Sequence, residues 1–276
     1  MSVTEQTSKQ YKPTPAQFEP TFEQLLVEAH RSLDRLGPGS PNATLQALRF
    51  IEGLDEHSVL ANLGCGTGGE SLLLAQYMPG TIVGLDMFED FVSVFNQQAH
   101  DLNLDNRVKA IAGKIEELPF ESFSLDVIWS EGVLDAPGFK AGLLNWQNYL
   151  KRGGYFAVTS PSWLTSEHPT EVEKFWSDAG CKIDSIEDNL ATIRACGYTY
   201  LASFVLPEYC WMDNYYIPRQ NAIQKLSEKY PKSRTMKEFI EQNAYEVELY
   251  KKYHKHYGYV FYIGKKSKQR LARKSN

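Results

Sequence analysis

Apolar residues follow two alternating rhythms along most of the chain. Over residues 18–36, Phe22, Leu25, Leu26, Ala29 and Leu33 recur at the spacing of one helix face. A Leu-Gly-Pro-Gly-Ser-Pro step follows. Ser40 fits as an N-cap with Pro41 in the first turn, opening a second helix with Leu45, Leu48 and Ile51 along one face. From Val59, short apolar runs alternate with helical patterns. Strands are expected over 59–63, 81–85, 108–112, 125–129 and 155–159. Helices are expected up to Tyr77, over 88–102 and over 143–150. Alternating strands and helices imply a parallel sheet covered by helices on both faces.

Beyond Ser160 the pattern loosens. A helix is expected over 185–196, ending at Gly197, then a strand over 200–206. Residues 208–256 read as an insertion: an aromatic loop, then helices over 219–230 and 235–253. Thr235 and Glu238 have capping-box spacing at the last of these. A final strand is expected over 258–263. No internal repeat is visible.

The run Leu63-Gly64-Cys65-Gly66-Thr67-Gly68 follows a strand and opens a helix. Glycines there let the backbone turn sharply and approach a ligand, and the helix start offers unpaired N–H groups. With Gly69 included, the run also fits the dinucleotide fingerprint G-x-G-x-x-G. Asp86 closes the second strand and is placed to accept from both hydroxyls of a ribose in either kind of nucleotide site.

Four further landmarks separate these readings. They are Gly84-Leu85-Asp86, the segment from Gly113 to Phe120, Leu125-Asp126-Val127-Ile128 and Leu150-Lys151-Arg152-Gly153-Gly154. Together with the glycine run they resemble, in order, the motifs of class I S-adenosylmethionine-dependent methyltransferases over residues 59–160. The chain outside that stretch broadly resembles bacterial methyltransferases of undefined substrate and quinone-biosynthesis C-methyltransferases. The resemblance implies a Rossmann-like α/β fold. Its mostly parallel seven-stranded sheet has helices on both faces, an antiparallel last strand and a helical insertion before it. It also implies S-adenosylmethionine as cofactor and S-adenosylhomocysteine as product. Gly64, Gly66 and Gly68, with Cys65 between them, would cradle the amino-acid end of the cofactor. Asp86 would take the ribose and Met87 the adenine face. Ile115 and Glu116 would border the ring, and Ser130 would meet the amino group. Two positions depart from the pattern: Asn62 stands where many members carry an acid, and Lys114 where an Asp often receives the adenine amine.

Methyl transfer needs alignment first and a base only for some acceptors. Glu131 and Tyr215 are the candidate proton acceptors, with a structural carboxylate as the alternative for Glu131. Trp211, Tyr215, Tyr216 and Arg219 are candidates for an acceptor pocket, or for plain packing of the insertion. His254 and His256 form a pair with no third ligand signalled, so no metal is assigned.

Composition narrows the acceptor. Hydrophobic residues make up 42% of the 276 and charged residues 23%, an ordinary globular balance. No apolar run approaches membrane-helix length, the N-terminus lacks a leader pattern, and the four cysteines form no C-x-x-C pair. A cytoplasmic protein without membrane insertion is expected. The net charge is −5, but residues 265–276 carry six Lys or Arg and no acid, which leaves −11 on the remainder. So acidic a body disfavours nucleic acid. Domain bounds follow: residues 1–17 expected disordered, 18–266 a methyltransferase domain with 208–256 as its cap, and 267–276 a basic tail. The primary expectation is methylation of a small molecule. The alternatives are an RNA or protein methyltransferase using the tail, and a cofactor-binding protein without catalysis. Exposed aromatic surface leaves room for a homodimer.

Overall fold

The computed structural model describes residues 19–133 and 138–267. The expected disordered N-terminus and the tail from residue 268 lie outside the described residues.

Side-chain caps set the first two helices. At α1 (Phe22–His30), Thr21 Oγ1 accepts from Gln24 N at 3.1 Å, and Gln24 Oε1 accepts from Thr21 N at 2.9 Å. This helix is shorter than its apolar pattern predicts. The chain turns after His30, and Leu33 to Leu36 runs as an irregular strap. At α2 (Pro41–Leu48), Ser40 is the cap, accepting from Ala43 N at 3.1 Å.

Five parallel strands follow: β1 (Val59–Leu63), β2 (Thr81–Asp86), β3 (Val108–Ala112), β4 (Leu125–Ser130) and β5 (Leu150–Trp163). The sheet is completed by β6 (Asp184–Ser185), β7 (Tyr198–Val205) and β8 (Tyr257–Lys266). The order is β3-β2-β1-β4-β5-β8-β7, with β6 pairing to β5 and β8 antiparallel to both its neighbours. The connecting helices are α3 (Gly69–Leu74), α4 (Glu89–Asp101), α5 (Phe139–Trp146), α6 (Thr170–Asp178) and α7 (Ile186–Ala195). One face buries Leu60, Val127, Trp129 and Phe261 against α2, α3 and α4. The other buries Ala61, Ile128, Phe156 and Tyr262 against α5 and α7. Strand residues alternate between the two cores, as a pleated sheet covered on both sides requires.

The insertion differs from its expected form. Its aromatic loop is helical: α8 (Glu208–Trp211) passes through a π-helical turn, Met212–Tyr216, into α9 (Ile217–Lys229). α10 (Arg234–Tyr253) then crosses back. Its cap is Ser233, which accepts from Met236 N at 2.9 Å, and not Thr235, whose N–H donates instead to Glu19. Leu25 and Ala29 of α1 join Ile223 and Leu226 of α9 and Met236 and Phe239 of α10 in a third apolar cluster. That cluster is a cap standing apart from the two sheet cores.

Three smaller differences follow from pairing. The strand expected over 155–159 is longer at both ends, taking in Arg152-Gly153-Gly154 beside a register shift against β4. The two-residue β6 adds a strand, making eight. Two of the six basic residues near the C-terminus belong to β8. Lys265 Nζ donates to Tyr155 Oη at 2.6 Å, and Lys266 Nζ to the Leu150 carbonyl at 2.7 Å. Among the described residues no helix is long and apolar enough to cross a membrane.

Losing the α1 capping box should loosen the cap alone. Thr21→Ala is expected to cost about 1 kcal/mol. Hydrogen exchange should speed up over 22–30 while β1, β4 and β5 stay protected.

Candidate active site

Strand order reverses between β1 and β4, and open α/β sheets bind ligands beyond the carboxyl ends of strands at that point. A cavity of about 890 Å³ lies there. Its floor is made by the loops after β1, β2, β3 and β4, and its roof by α1, the π-helical turn, α9 and α10.

The glycine loop is shaped by contacts that leave no room for a Cβ. Gly66 and Gly68 have φ of 51° and 96°, left-handed values that favour glycine. A Cβ on Gly69 would sit 2.1 Å from the Asp34 carbonyl oxygen of the strap after α1. The Leu85 carbonyl accepts from Gly64 N at 2.7 Å and Cys65 N at 3.1 Å, seating the loop on β2. Asp86 completes it. Its Oδ2 accepts from Gly66 N at 2.9 Å and its Oδ1 from Phe88 N at 3.0 Å. Burial raises the Asp86 carboxyl above its ordinary value, and these N–H donors work against that. Each oxygen keeps a lone pair for a ligand.

Of the expected cofactor residues, Gly64, Cys65, Gly66, Asp86, Met87, Ile115 and Glu116 line the cavity. Asn62, Gly68 and Ser130 stand behind it. Asn62 Nδ2 donates to Ser71 Oγ at 2.9 Å, fastening α3 to β1, and Ser130 Oγ donates to the Leu63 carbonyl at 3.0 Å. Met87 is 61% exposed, a free face at the rim. Lys114 lines the same end.

Glu131 lines the cavity, with both of its oxygens already engaged. Its Oε1 accepts from Thr44 Oγ1 at 2.8 Å and Trp129 Nε1 at 2.9 Å, and its Oε2 pairs with Arg35 Nη2. The same Arg35 nitrogen lies 3.0 Å from Glu70 Oε1. A carboxylate held by three donors is poorly disposed to take a proton, so the structural alternative fits it better. Tyr215 and Arg219 line the cavity; Trp211 and Tyr216 do not. Trp211 stacks on Tyr250 at 4.4 Å between ring centroids, and Tyr216 Oη donates to Glu246 Oε1 at 3.1 Å. Both pack the cap onto the sheet, because helical geometry turns them away from the cleft. Burial pushes the Tyr215 hydroxyl up, so at neutral pH it is a donor rather than a base.

Sequence reasoning missed the contribution of α1 and α10. His30, Phe22, Leu26 and Asp34 line the roof, with Phe239 and Glu246 facing them. Only the helical periodicity of α1 hinted that this face is buried. His254 and His256 hydrogen-bond to separate partners, the Lys251 carbonyl and Thr165 Oγ1.

Residues 54–229 match the family described as a methyltransferase domain. The chain belongs to that family. Among curated proteins it is 32% identical over 116 residues to a malonyl-[acyl-carrier protein] O-methyltransferase of Herminiimonas arsenicoxydans, covering 42% of this chain and 40% of that protein. It is 26% identical over 112 residues to a sterol 24-C-methyltransferase of Kluyveromyces lactis, covering 40% of this chain and 30% of that one. The matched region thus spans well under half the length of either relative. A SAM-dependent methyltransferase from Geobacter sulfurreducens, solved in complex with S-adenosyl-L-homocysteine, superposes with a TM-score of 0.75 at 18% identity. The match covers 87% of this chain and 96% of that one, a likeness of fold.

The Arg35 cluster makes a sharp stability prediction. Arg35→Met strands Glu70 and Glu131 as buried carboxylates and should cost about 3–5 kcal/mol in chemical denaturation at neutral pH. Burial already raises the Glu70 carboxyl, so its charged form opposes folding above that raised value. The variant should therefore regain stability as the pH falls below neutrality through the raised Glu70 value.

Proposed function

We propose that this chain transfers a methyl group from S-adenosylmethionine to a small-molecule acceptor by in-line displacement. The observation that carries the reading is one continuous cavity with two unlike ends. The glycine loop and Asp86 form a polar, ligand-shaped floor at one end, and an apolar roof with a few polar groups closes the other. A volume of about 890 Å³ suits two small molecules side by side better than a polymer chain.

The floor fits the cofactor. The glycine loop offers the close backbone approach that its amino-acid end requires, the free lone pairs of Asp86 suit a ribose diol, and Met87 with Ile115 offers apolar surface to the adenine. Bound there, S-adenosylmethionine supplies a methyl group activated by a sulfonium. The acids Asp34, Glu70, Asp86, Glu116 and Glu131 line the cavity and favour a cationic ligand. The chain's own part is to hold both reactants in register and to exclude water under the cap.

Residues 18–266 are read as one methyltransferase domain, with 208–256 as its cap. Cys65, Cys196 and Cys210 are buried thiols outside any disulfide, which suits a reducing, cytoplasmic setting.

The test is transfer of label from radiolabelled S-adenosylmethionine into a fractionated cell extract. Label should enter the low-molecular-weight or lipid fraction. With Asp86→Ala, calorimetry should show S-adenosylhomocysteine binding weakened about 100-fold, the loss of two hydrogen bonds to a charged group. Label in RNA or protein would overturn the acceptor class, and a wild-type protein that binds no S-adenosylhomocysteine would overturn the reading itself.

A further inference from the structure

We propose that His30 is the proton acceptor of this site, and that the methyl acceptor is an acidic hydroxyl, a phenol or enol, carried on an apolar body. The inference rests on the methyl-transfer reading above.

His30 ends α1 and lines the roof of the cavity. Its Nδ1 lies 2.8 Å from the Leu26 carbonyl. A carbonyl only accepts, so Nδ1 carries the proton and Nε2 carries the lone pair. No other hydrogen bond to this ring is present among the described residues. Burial, helped by the nearby Arg219 charge, lowers the imidazole to about 4 despite the Leu26 bond. At neutral pH it is an uncharged acceptor.

Donors stand beside it. The Tyr215 ring is 6.2 Å from the His30 ring, centroid to centroid. Arg219 Nη1 donates to Tyr215 Oη at 2.8 Å and pairs with Glu246 Oε2 at 2.9 Å. Because that oxygen accepts from Arg219, the Tyr215 O–H proton is left for another partner. Arg219 is 3% exposed, yet its Nε and Nη2 have no hydrogen-bond partner. Buried guanidinium N–H groups are rarely left so, and a ligand oxygen or water is the natural remedy.

A lone pair next to these donors selects the acceptor's chemistry. A carboxylate would arrive with no proton for His30. An acidic hydroxyl gives its proton to Nε2 and leaves an oxyanion facing Tyr215 and Arg219. That oxyanion in turn raises the proton affinity of the imidazole beside it. The balance is complete: the proton goes to Nε2, an oxygen lone pair forms the new bond to the methyl carbon, and the methyl–sulfur pair stays on sulfur. Phe22, Leu26, Phe91 and Phe239 line the same cavity and suit an apolar body.

The charged group that acts on His30 is Arg219, itself paired with Glu246 Oε2 at 2.9 Å.

The test uses a 4-nitrophenol bearing an octyl chain, added to protein saturated with S-adenosylhomocysteine. Absorbance reads whether the bound probe is phenol or phenolate, and calorimetry reads affinity. His30→Asn lacks Nε2 but can keep the bond to Leu26, as Asn243 does with the Phe239 carbonyl at 2.8 Å. His30→Gln offers a hydrogen-bond acceptor that cannot take a proton. Wild type should bind the probe as phenolate, with its histidine NMR signals reporting a newly protonated ring. Both variants should bind S-adenosylhomocysteine normally, hold the probe as phenol and bind it about tenfold more weakly. A wild type that binds S-adenosylhomocysteine but not the probe, or variants that bind it unchanged as phenolate, would overturn the role of His30. Failure of S-adenosylhomocysteine to bind wild type overturns the parent reading instead.

Discussion

The arrangement of this site depends on one buried arginine. Arg35 sits on the strap after α1 and reaches both Glu70, at the start of the helix behind the glycine loop, and Glu131, just past β4. Thr44 of α2 and Trp129 of β4 complete the shell around Glu131. The backbone of Gly39 packs so closely on the guanidinium that a Cβ would lie 2.1 Å from it. Four segments, the strap, α2, α3 and the end of β4, thus meet in one cluster. Burial works against the guanidinium charge, but the Glu70 and Glu131 carboxylates outweigh it and keep Arg35 protonated. Stability is not what the charges add, since buried ion pairs seldom repay their desolvation. What the charges add is direction: only one placement of the strap satisfies both acids.

The cap is built on a different principle. Trp211, Tyr216, Tyr250, Tyr257 and Tyr259 form a contiguous group of rings, stacked, tilted or edge-on at centroid distances from 4.4 Å upward. This aromatic mass joins the sheet core, so the helices above it are fixed to β8. Arg219 lies over the Tyr215 and Tyr216 rings at 4.6 and 5.0 Å, and Tyr215 and Glu246 outweigh burial in holding it protonated. The rings therefore give the roof its rigidity, while Tyr215 and Arg219 give it chemistry.

The sequence disclosed the parts whose logic is local. Strands β1 to β4, the glycine loop and Asp86 were legible because period and spacing are written within a few residues. The π-helical turn was not, because Tyr and Trp signal burial without saying in which secondary structure. For the same reason Trp211 and Tyr216 were read alongside Tyr215 and Arg219, although the helix turns the first pair into the core. Ser233 displaced Thr235 as a cap because Glu19, distant in sequence, claims the Thr235 N–H. Arg35 and His30 carried no signal at all. The partner of Arg35 lies 96 positions away, and His30 looks like any helical residue until Arg219 and Tyr215 are folded against it. Asn62 is instructive in the other direction. Its departure from the family's frequent acid suggested altered cofactor contact, yet the amide is spent on Ser71 beneath the loop.

In-line displacement punishes misalignment severely, because an error of about 1 Å between reactants costs about a hundredfold in rate. The cavity has a polar end at the glycine loop and an apolar end under the cap. Here a short stretch touches both. Leu26 and His30 line the apolar end. Three residues on, the Leu33 carbonyl accepts from Thr67 Oγ1 at 3.1 Å, Asp34 packs its carbonyl against Gly69, and Arg35 closes on Glu131. The segment that would receive the acceptor's proton is thus the one that braces the cofactor loop. Motion of α1 relative to the strap is restrained by the Leu25 and Ala29 contacts to α9 and α10, so the distance between the two ends is set locally. If His30 has the role proposed for it, α1 belongs to the reaction centre, and the sheet supplies the platform on which it is held.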